Sequence, residues 1–368
     1  MTGYELLFLV LFAMYLSECI AWVPEAGFAF RAFADRPWRP ASDLLGVLRG
    51  RWRAFGAGWI PGTGGVAVAE AGPPGLSPLG LCACDSNPRG ALSYEELGPL
   101  EVDGVDVRAG SRVVARAGSA VHALHLRVLI LRLQACDPAE REILIRAEHD
   151  RLLDPREARR RVARHRVCAR PLGTIARALA VTLFVVLPVG LVAGGLWIAA
   201  PILAAAVAMA WLAAWAYRRV LRRAGGTGPI VERMLTMILM PPAAIRAGDF
   251  LARDLFGGLH WLPLAHAACV PSSAGALAAG ALRRLRHPTD PERVACCAAG
   301  AWAAAEWGSR LERWIETEQG PGDRLLAAPA PESRPCAAYC PRCLQQYVAG
   351  RAWCSDCPGV RLEPLART

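Results

Sequence analysis

Ala178–Tyr217, ALAVTLFVVLPVGLVAGGLWIAAPILAAAVAMAWLAAWAY, runs forty residues without a charged side chain or a histidine and is closed by Arg177 and Arg218. A transmembrane helix needs about 20 apolar residues to cross about 30 Å of hydrocarbon. The length therefore predicts a transmembrane helical hairpin over 177–218, two crossings joined by a tight break. Glycine and proline place that break between Gly194-Gly195 and Pro201. Trp197 is expected at one interface, with Trp211, Trp215 and Tyr217 approaching the other, as aromatic belts do. Pro188 should kink the first arm, and the small residues of the second arm favour close helix contact. A soluble helix of this length carries a polar face, which this stretch lacks.

Outward from the hairpin, Tyr4–Val23 (YELLFLVLFAMYLSECIAWV) reads as a further crossing, an N-terminal transmembrane helix over 1–23. It has no positive n-region and no A-x-A site, which argues against a cleaved signal. Glu18 is its one ionisable side chain away from the start; close to Trp22-Pro24, it is expected to reach the interface. Arginines follow this span (Arg31, Arg36, Arg39), precede the hairpin (Arg164, Arg166, Arg170, Arg177) and follow it (Arg218, Arg219, Arg222, Arg223). Under the positive-inside rule all of these are cytoplasmic. The fold class expected is a multi-pass α-helical membrane protein with a small cytoplasmic α+β module and a C-terminal zinc ribbon. Its N-terminus would lie outside and its C-terminus in the cytoplasm, in the inner membrane.

All 42 basic residues are arginine, and the sequence is rich in alanine, glycine and proline. A GC-rich coding sequence produces that bias by itself, so the net charge of +10 is no argument for nucleic acid. Thirteen cysteines, an odd number with the densest group in metal-ligand spacing, favour a reducing compartment over a disulfide framework.

Residues 24–91 form a Pro/Gly-rich membrane-proximal region with a few short strands; its Cys82 and Cys84 make a C-x-C pair with no further ligand nearby. Residues 92–170 read as the α+β module. Alternation around Asp103-Gly104 predicts a hairpin, Ser119 caps a helix reaching about Gln134, and Asp137-Pro138 and Asp154-Pro155 open two more. His122 and His125 share a helix face and could be metal ligands, but without a carboxylate or third histidine at helical spacing they read as ordinary helix surface or partial burial. The module ends in seven arginines among fifteen residues, and Arg156, Arg159, Arg160, Arg161 and Arg164 are expected to meet anionic lipid headgroups. No aromatic residues interleave with them, so nucleic acid is not the expected partner. Residues 228–319 read as cytoplasmic amphipathic helices on the membrane surface; 255–282 is apolar enough to raise a further crossing, and His260, His266 and Cys269 lie within it. Residues 320–335 are a Pro/Ala/Gly linker.

Cys340-Pro-Arg-Cys343, ten residues, then Cys354-Ser-Asp-Cys357 present four thiolates in two C-x2-C knuckles, a donor set suited to Zn2+. The stretch 336–365 resembles the small C-terminal zinc ribbons of many bacterial proteins. Tyr347, Gly350, Asp356 and Leu362 match that pattern, and Leu344 departs from the glycine usual after the first knuckle. Four cysteines fill the coordination shell, so the expected zinc is structural. No HExxH, G-x-S-x-G, P-loop or GxGxxG stands in a usable setting. The function expected is an integral membrane scaffold or adaptor whose ribbon docks a protein partner on the cytoplasmic face. The alternative is a membrane-anchored enzyme of unidentified chemistry using 92–168 or 228–318.

Overall fold

The computed structural model describes residues 3–22, 27–32, 37, 39–40, 52–54, 64–69, 75–82, 91–117, 120–223, 230–289, 298–333 and 335–365. Helix α1 (Gly3–Cys19) passes into a series of short strands, β1 (Ile20–Trp22), β2 (Gly27–Ala32), β3 (Arg39–Pro40), β4 (Trp52–Ala54) and β5 (Gly64–Ala69). β1 pairs with β4, and β2 lies between β3 and β5, all antiparallel. A small meander follows, β6 (Leu76–Ser77), β7 (Gly80–Cys82) and β8 (Ala91–Leu92).

The alternation around Asp103-Gly104 becomes β9 (Leu100–Asp103) and β10 (Asp106–Ala109). Asp103 pairs with Asp106, so the two loop residues are Gly104 and Val105, one position later than the sequence suggests. Gly104 takes φ 61°, the left-handed value such a loop demands and glycine reaches without steric cost. β11 (Arg112–Arg116) completes the sheet, and α2 (Ala120–Ala135) packs across it. Leu100, Val107, Val114, Leu126, Ile130, Leu133 and Ile145 bury together there. Ser119, the expected cap of α2, lies outside the described residues.

Two Asp-Pro steps then set the helical frame. The Asp137 carboxylate accepts from Ala139 N and Glu140 N at 2.8 and 2.9 Å and starts α3 (Pro138–Leu152). Asp154 accepts from Arg156 N and Glu157 N at 2.8 and 3.2 Å and starts α4 (Pro155–Val181). In both, proline occupies the first turn, where its missing N–H costs nothing. A π-turn over Thr182–Val186 leads into α5 (Leu187–Arg223). It ends two residues before Pro188, whose ring would otherwise meet the carbonyl four residues back.

Helical geometry is lost at Gly194 (φ −148°) and Gly195 (φ 59°). A Cβ at Gly190 would fall 2.6 Å from Ile202 Cδ1. Residues twelve apart in a straight helix are about 18 Å apart, so the chain after Gly195 folds back on the chain before it. Short helices follow: α6 (Ile230–Leu239), α7 (Pro241–Ala244), α8 (Ala247–Phe256), α9 (Trp261–Ala268), α10 (Pro271–Arg286), α11 (Ala298–Gln319) and α12 (Gly322–Leu325). α8 and α9 pack on α4, burying Leu251, Phe256, Leu259, Trp261, Leu262 and Leu264.

The expected multi-pass α-helical membrane fold is corrected by these elements. Among the described residues one helical run, Pro155–Arg223 with 69 residues, is long and apolar enough to cross a membrane. The expected N-terminal crossing ends as a helix at Cys19 after 17 residues and turns into β1. Residues 255–282, weighed as a crossing, are divided among three separate helices whose apolar faces serve the protein's own core. Composition alone does not distinguish burial in protein from burial in lipid.

Candidate metal centre

The C-terminal module is built on β12 (Cys336–Tyr339), which pairs antiparallel with β13 (Gln346–Val348) on one side and β14 (Glu363–Pro364) on the other. A bridge between Trp353 and Arg361 closes the second hairpin. The two knuckles have matching backbone anatomy. Cys340 N donates to Gln345 O at 2.9 Å, and Cys354 N donates to Val360 O at 3.0 Å. Each first cysteine is thus tied to the chain leaving its own knuckle, which turns both pairs of thiols to one point. The sulfurs of Cys340, Cys343, Cys354 and Cys357 all lie within 4.8 Å of one another, a grouping able to hold a metal ion. Cys340, Cys354 and Cys357 are buried and Cys343 is exposed. Cys336 is not in this group; its sulfur lies 3.2 Å from Ser333 Oγ.

Tyr347 accepts the Ser355 N–H at 3.2 Å, which leaves its own hydrogen for Cys354 Sγ, also at 3.2 Å. Burial opposes ionisation of Cys354, but the Tyr347 hydroxyl and the Asp356 backbone N–H outweigh it and hold the thiol down at about 7. Burial and the neighbouring sulfurs push Cys357 up. Four thiolates at this spacing repel one another unless a cation stands among them.

Leu344 is the one non-glycine residue with positive φ among the described residues, at 63°. This is the position where ribbons of the resembled type carry glycine, and a side chain in the left-handed region costs about 1–2 kcal/mol. Leu344 N still closes the turn onto Cys340 O at 2.8 Å. Leu344→Gly should stabilise the module by up to about 1 kcal/mol, the loss of a half-buried side chain offsetting part of the relief. Slower hydrogen exchange at the Cys340 amide would register it, and faster exchange would show that the leucine's packing outweighs the strain.

The other residues singled out in the sequence are dispersed. Cys82 lies half-buried in β7 and Cys84 lies outside the described residues. Glu18 falls within α1, and its side chain lies outside what the structure describes. His260 is fully buried; its Nδ1 accepts from Leu262 N at 3.3 Å as the cap of α9, and its ring faces Trp261 and Trp307. His266 pairs instead with Glu318 at 3.2 Å, and Cys269 ends α9, its thiol pushed up to about 12 by burial.

The structure adds a group that the sequence did not point to. Glu148 is buried, accepts both Nε and Nη2 of Arg151 at 2.7 and 2.5 Å, and lies 2.9 Å from His125 Nε2. His125 is therefore a tethered residue, and His122, three positions before it, is buried. The chain matches no family model, no curated protein and no solved structure. The linker 320–335 is pinned at its end: Gln346 holds Glu332 N at 2.9 Å and Ala330 O at 2.8 Å through its amide.

Proposed function

We propose that this chain is a membrane-anchored scaffold or adaptor whose C-terminal module is a structural zinc ribbon that docks a protein partner. The observation that carries the reading is the convergence of the four sulfurs. Zinc bonded to sulfur at about 2.3 Å in a tetrahedron separates neighbouring sulfurs by about 3.8 Å. The Cys343–Cys354 separation is 3.7 Å, close to that edge and far beyond a disulfide bond of about 2.0 Å. Four thiolates leave no open position, which suits a structural rather than a catalytic metal. Thiolates persist where the surroundings are reducing, which supports a cytoplasmic side for the module. Val348 and Trp353 are more than half exposed on the module and offer apolar contacts to a partner.

The anchor is the apolar part of the Pro155–Arg223 run. Only a third of its most apolar window is buried, while Val192 and Trp197 beside the reversal are 90% and 93% exposed. Lipid is the surrounding that makes such exposure favourable. The protein should stay with membranes through high salt and alkaline carbonate and leave them in detergent. Val185→Asp with Val207→Asp, one near the middle of each arm and both exposed, should release it, since an aspartate at the centre of a span costs about 2.5–3.5 kcal/mol. Extraction of the wild type by salt or carbonate alone would end the anchor reading. For the adaptor, co-purification from detergent should yield a partner that Cys354→Ser loses while remaining in the membrane; an unchanged set of partners would remove the docking role.

A further inference from the structure

We propose that a cavity of about 510 Å³, walled by α2, the first half of α4 and the turn after α8, is a binding site for a phosphate monoester. Arg151, Arg160, Arg161, Arg164 and Arg223 line it. Glu157, Arg160, Arg161 and Arg164 are spaced three and four apart and so share one face of α4. Of the five arginines expected from the sequence to meet lipid headgroups, Arg156 and Arg159 are absent from this wall. The clustering is thus a property of the fold as well as of an arginine-rich helix.

Two of the arginines are held in place before any ligand arrives. Arg161 donates to Glu157 Oε1 at 2.6 Å and, through Nη1, to Leu255 O and Gly257 O at 2.9 and 3.0 Å. Arg151 is fixed by its double bond to Glu148. Gly258, at φ 78°, carries the backbone under these groups; a Cβ there would touch both Arg151 Nη atoms at 3.5 Å. The left-handed conformation calls for glycine, and the floor of the cavity stays low as a result.

Charge selects the ligand. Glu157 and Asp254 also line the cavity, and Glu148 stands behind Arg151. Five guanidinium groups against these three carboxylates leave two positive charges, Glu157 bridging both Arg160 and Arg161. A phosphate monoester carries about −1.5 to −2 near neutral pH and offers three acceptor oxygens to arginine forks. A single carboxylate would leave one of those charges uncompensated. Among the described residues no Trp, Tyr or Phe lines the cavity, and its arginine forks make the phosphate itself the group recognised. The volume falls within the range of about 300–1,000 Å³ common for small-molecule sites. Arg223 closes the apolar run that α4 feeds, so the phosphate can come from solution or from a lipid headgroup.

The test uses the full chain in detergent. Calorimetric titration with inorganic phosphate and with glycerol 3-phosphate is compared with binding to vesicles of phosphatidic acid, a monoester, and of phosphatidylserine, a diester. Arg160 and Arg223 are exposed, so Arg160→Gln with Arg223→Gln removes two cavity charges without touching the core. That pair should weaken phosphate or phosphatidic acid binding at least ten-fold. Arg156→Gln with Arg159→Gln, the same charge change outside the wall, should leave it unaltered. Saturable binding of soluble phosphate identifies a solution ligand, and binding confined to phosphatidic acid vesicles identifies a headgroup; either supports the site. Absence of binding in both forms, equal losses in the two variant pairs, or equal binding to phosphatidylserine would overturn it.

Discussion

The protein purified under reducing conditions should carry one zinc per chain, and Cys354→Ser should lose the metal together with the fold of residues 336–365. The module has a small apolar core of its own: Val360 and Leu362 pack beside the cysteines with Ala338 and Tyr347 around them, and Leu365 is buried as well. Burying a few side chains contributes about 1.5–3 kcal/mol each. Ordering thirty backbone residues costs about 1–2 kcal/mol per residue. Zinc binding in such small modules is worth about 10–16 kcal/mol at neutral pH, large enough to decide whether the module folds at all. A chelator should therefore produce rapid hydrogen exchange at the amides of Cys340 and Cys354 while helices α2–α5 stay protected. Zinc should restore protection. Full protection of 336–365 in metal-free protein, or the absence of stoichiometric zinc, would refute the metal reading.

The features legible from sequence share one property, that their chemistry is local. The two C-x2-C knuckles are visible because four residues suffice to specify each, and their convergence requires only the short hairpin between them. The caps at Asp137 and Asp154 are equally self-contained, each satisfying amides two and three residues ahead. The break at Gly194-Gly195 follows from glycine's freedom within the same few residues. What sequence alone concealed depends on distant partners. The apolar helices between 247 and 268 find their cover in α4, about a hundred residues earlier, and a hydropathy pattern has no means of distinguishing that cover from lipid. Glu148 reads as one acid on an amphipathic helix; only the packing of α2 beside α3 gives it His125 and makes it a buried carboxylate. The arginines of α4 are conspicuous in sequence, but which of them share a cavity is fixed by the turn after α8.

Acidification should destabilise the helical body in two steps, the second of which depends on Glu148. His149 is buried against the edge of Trp307, with ring centroids 5.1 Å apart, and its Nδ1 has no hydrogen-bond partner among the described residues. Burial and the Arg310 charge push its pKa down to about 4, and burial with Arg151 does the same for His122. A histidine kept neutral by folding binds its proton more readily in the unfolded chain. Its contribution is complete above about 6.5 and is lost as pH falls from there towards 4. Glu148 acts in the same direction at lower pH. Burial raises its pKa, but the bonds from Arg151 and His125 outweigh burial and hold the carboxyl at about 2. A carboxylate with a depressed pKa stabilises the fold above its unfolded value near 4.3 and gives up that stability between there and about 2. Each group contributes on the order of 3 kcal/mol. Thermal midpoints in detergent should thus fall from pH 6.5 to 4 and fall further below 4. Glu148→Gln should lower the midpoint at pH 7, because it removes the charge that compensates partly buried Arg151, and should flatten the lower arm. His149→Gln should flatten part of the upper arm. A midpoint independent of pH between 7 and 3 in the wild type would show that these groups are solvated in the native protein, and the buried cluster between α2 and α3 would have to be abandoned.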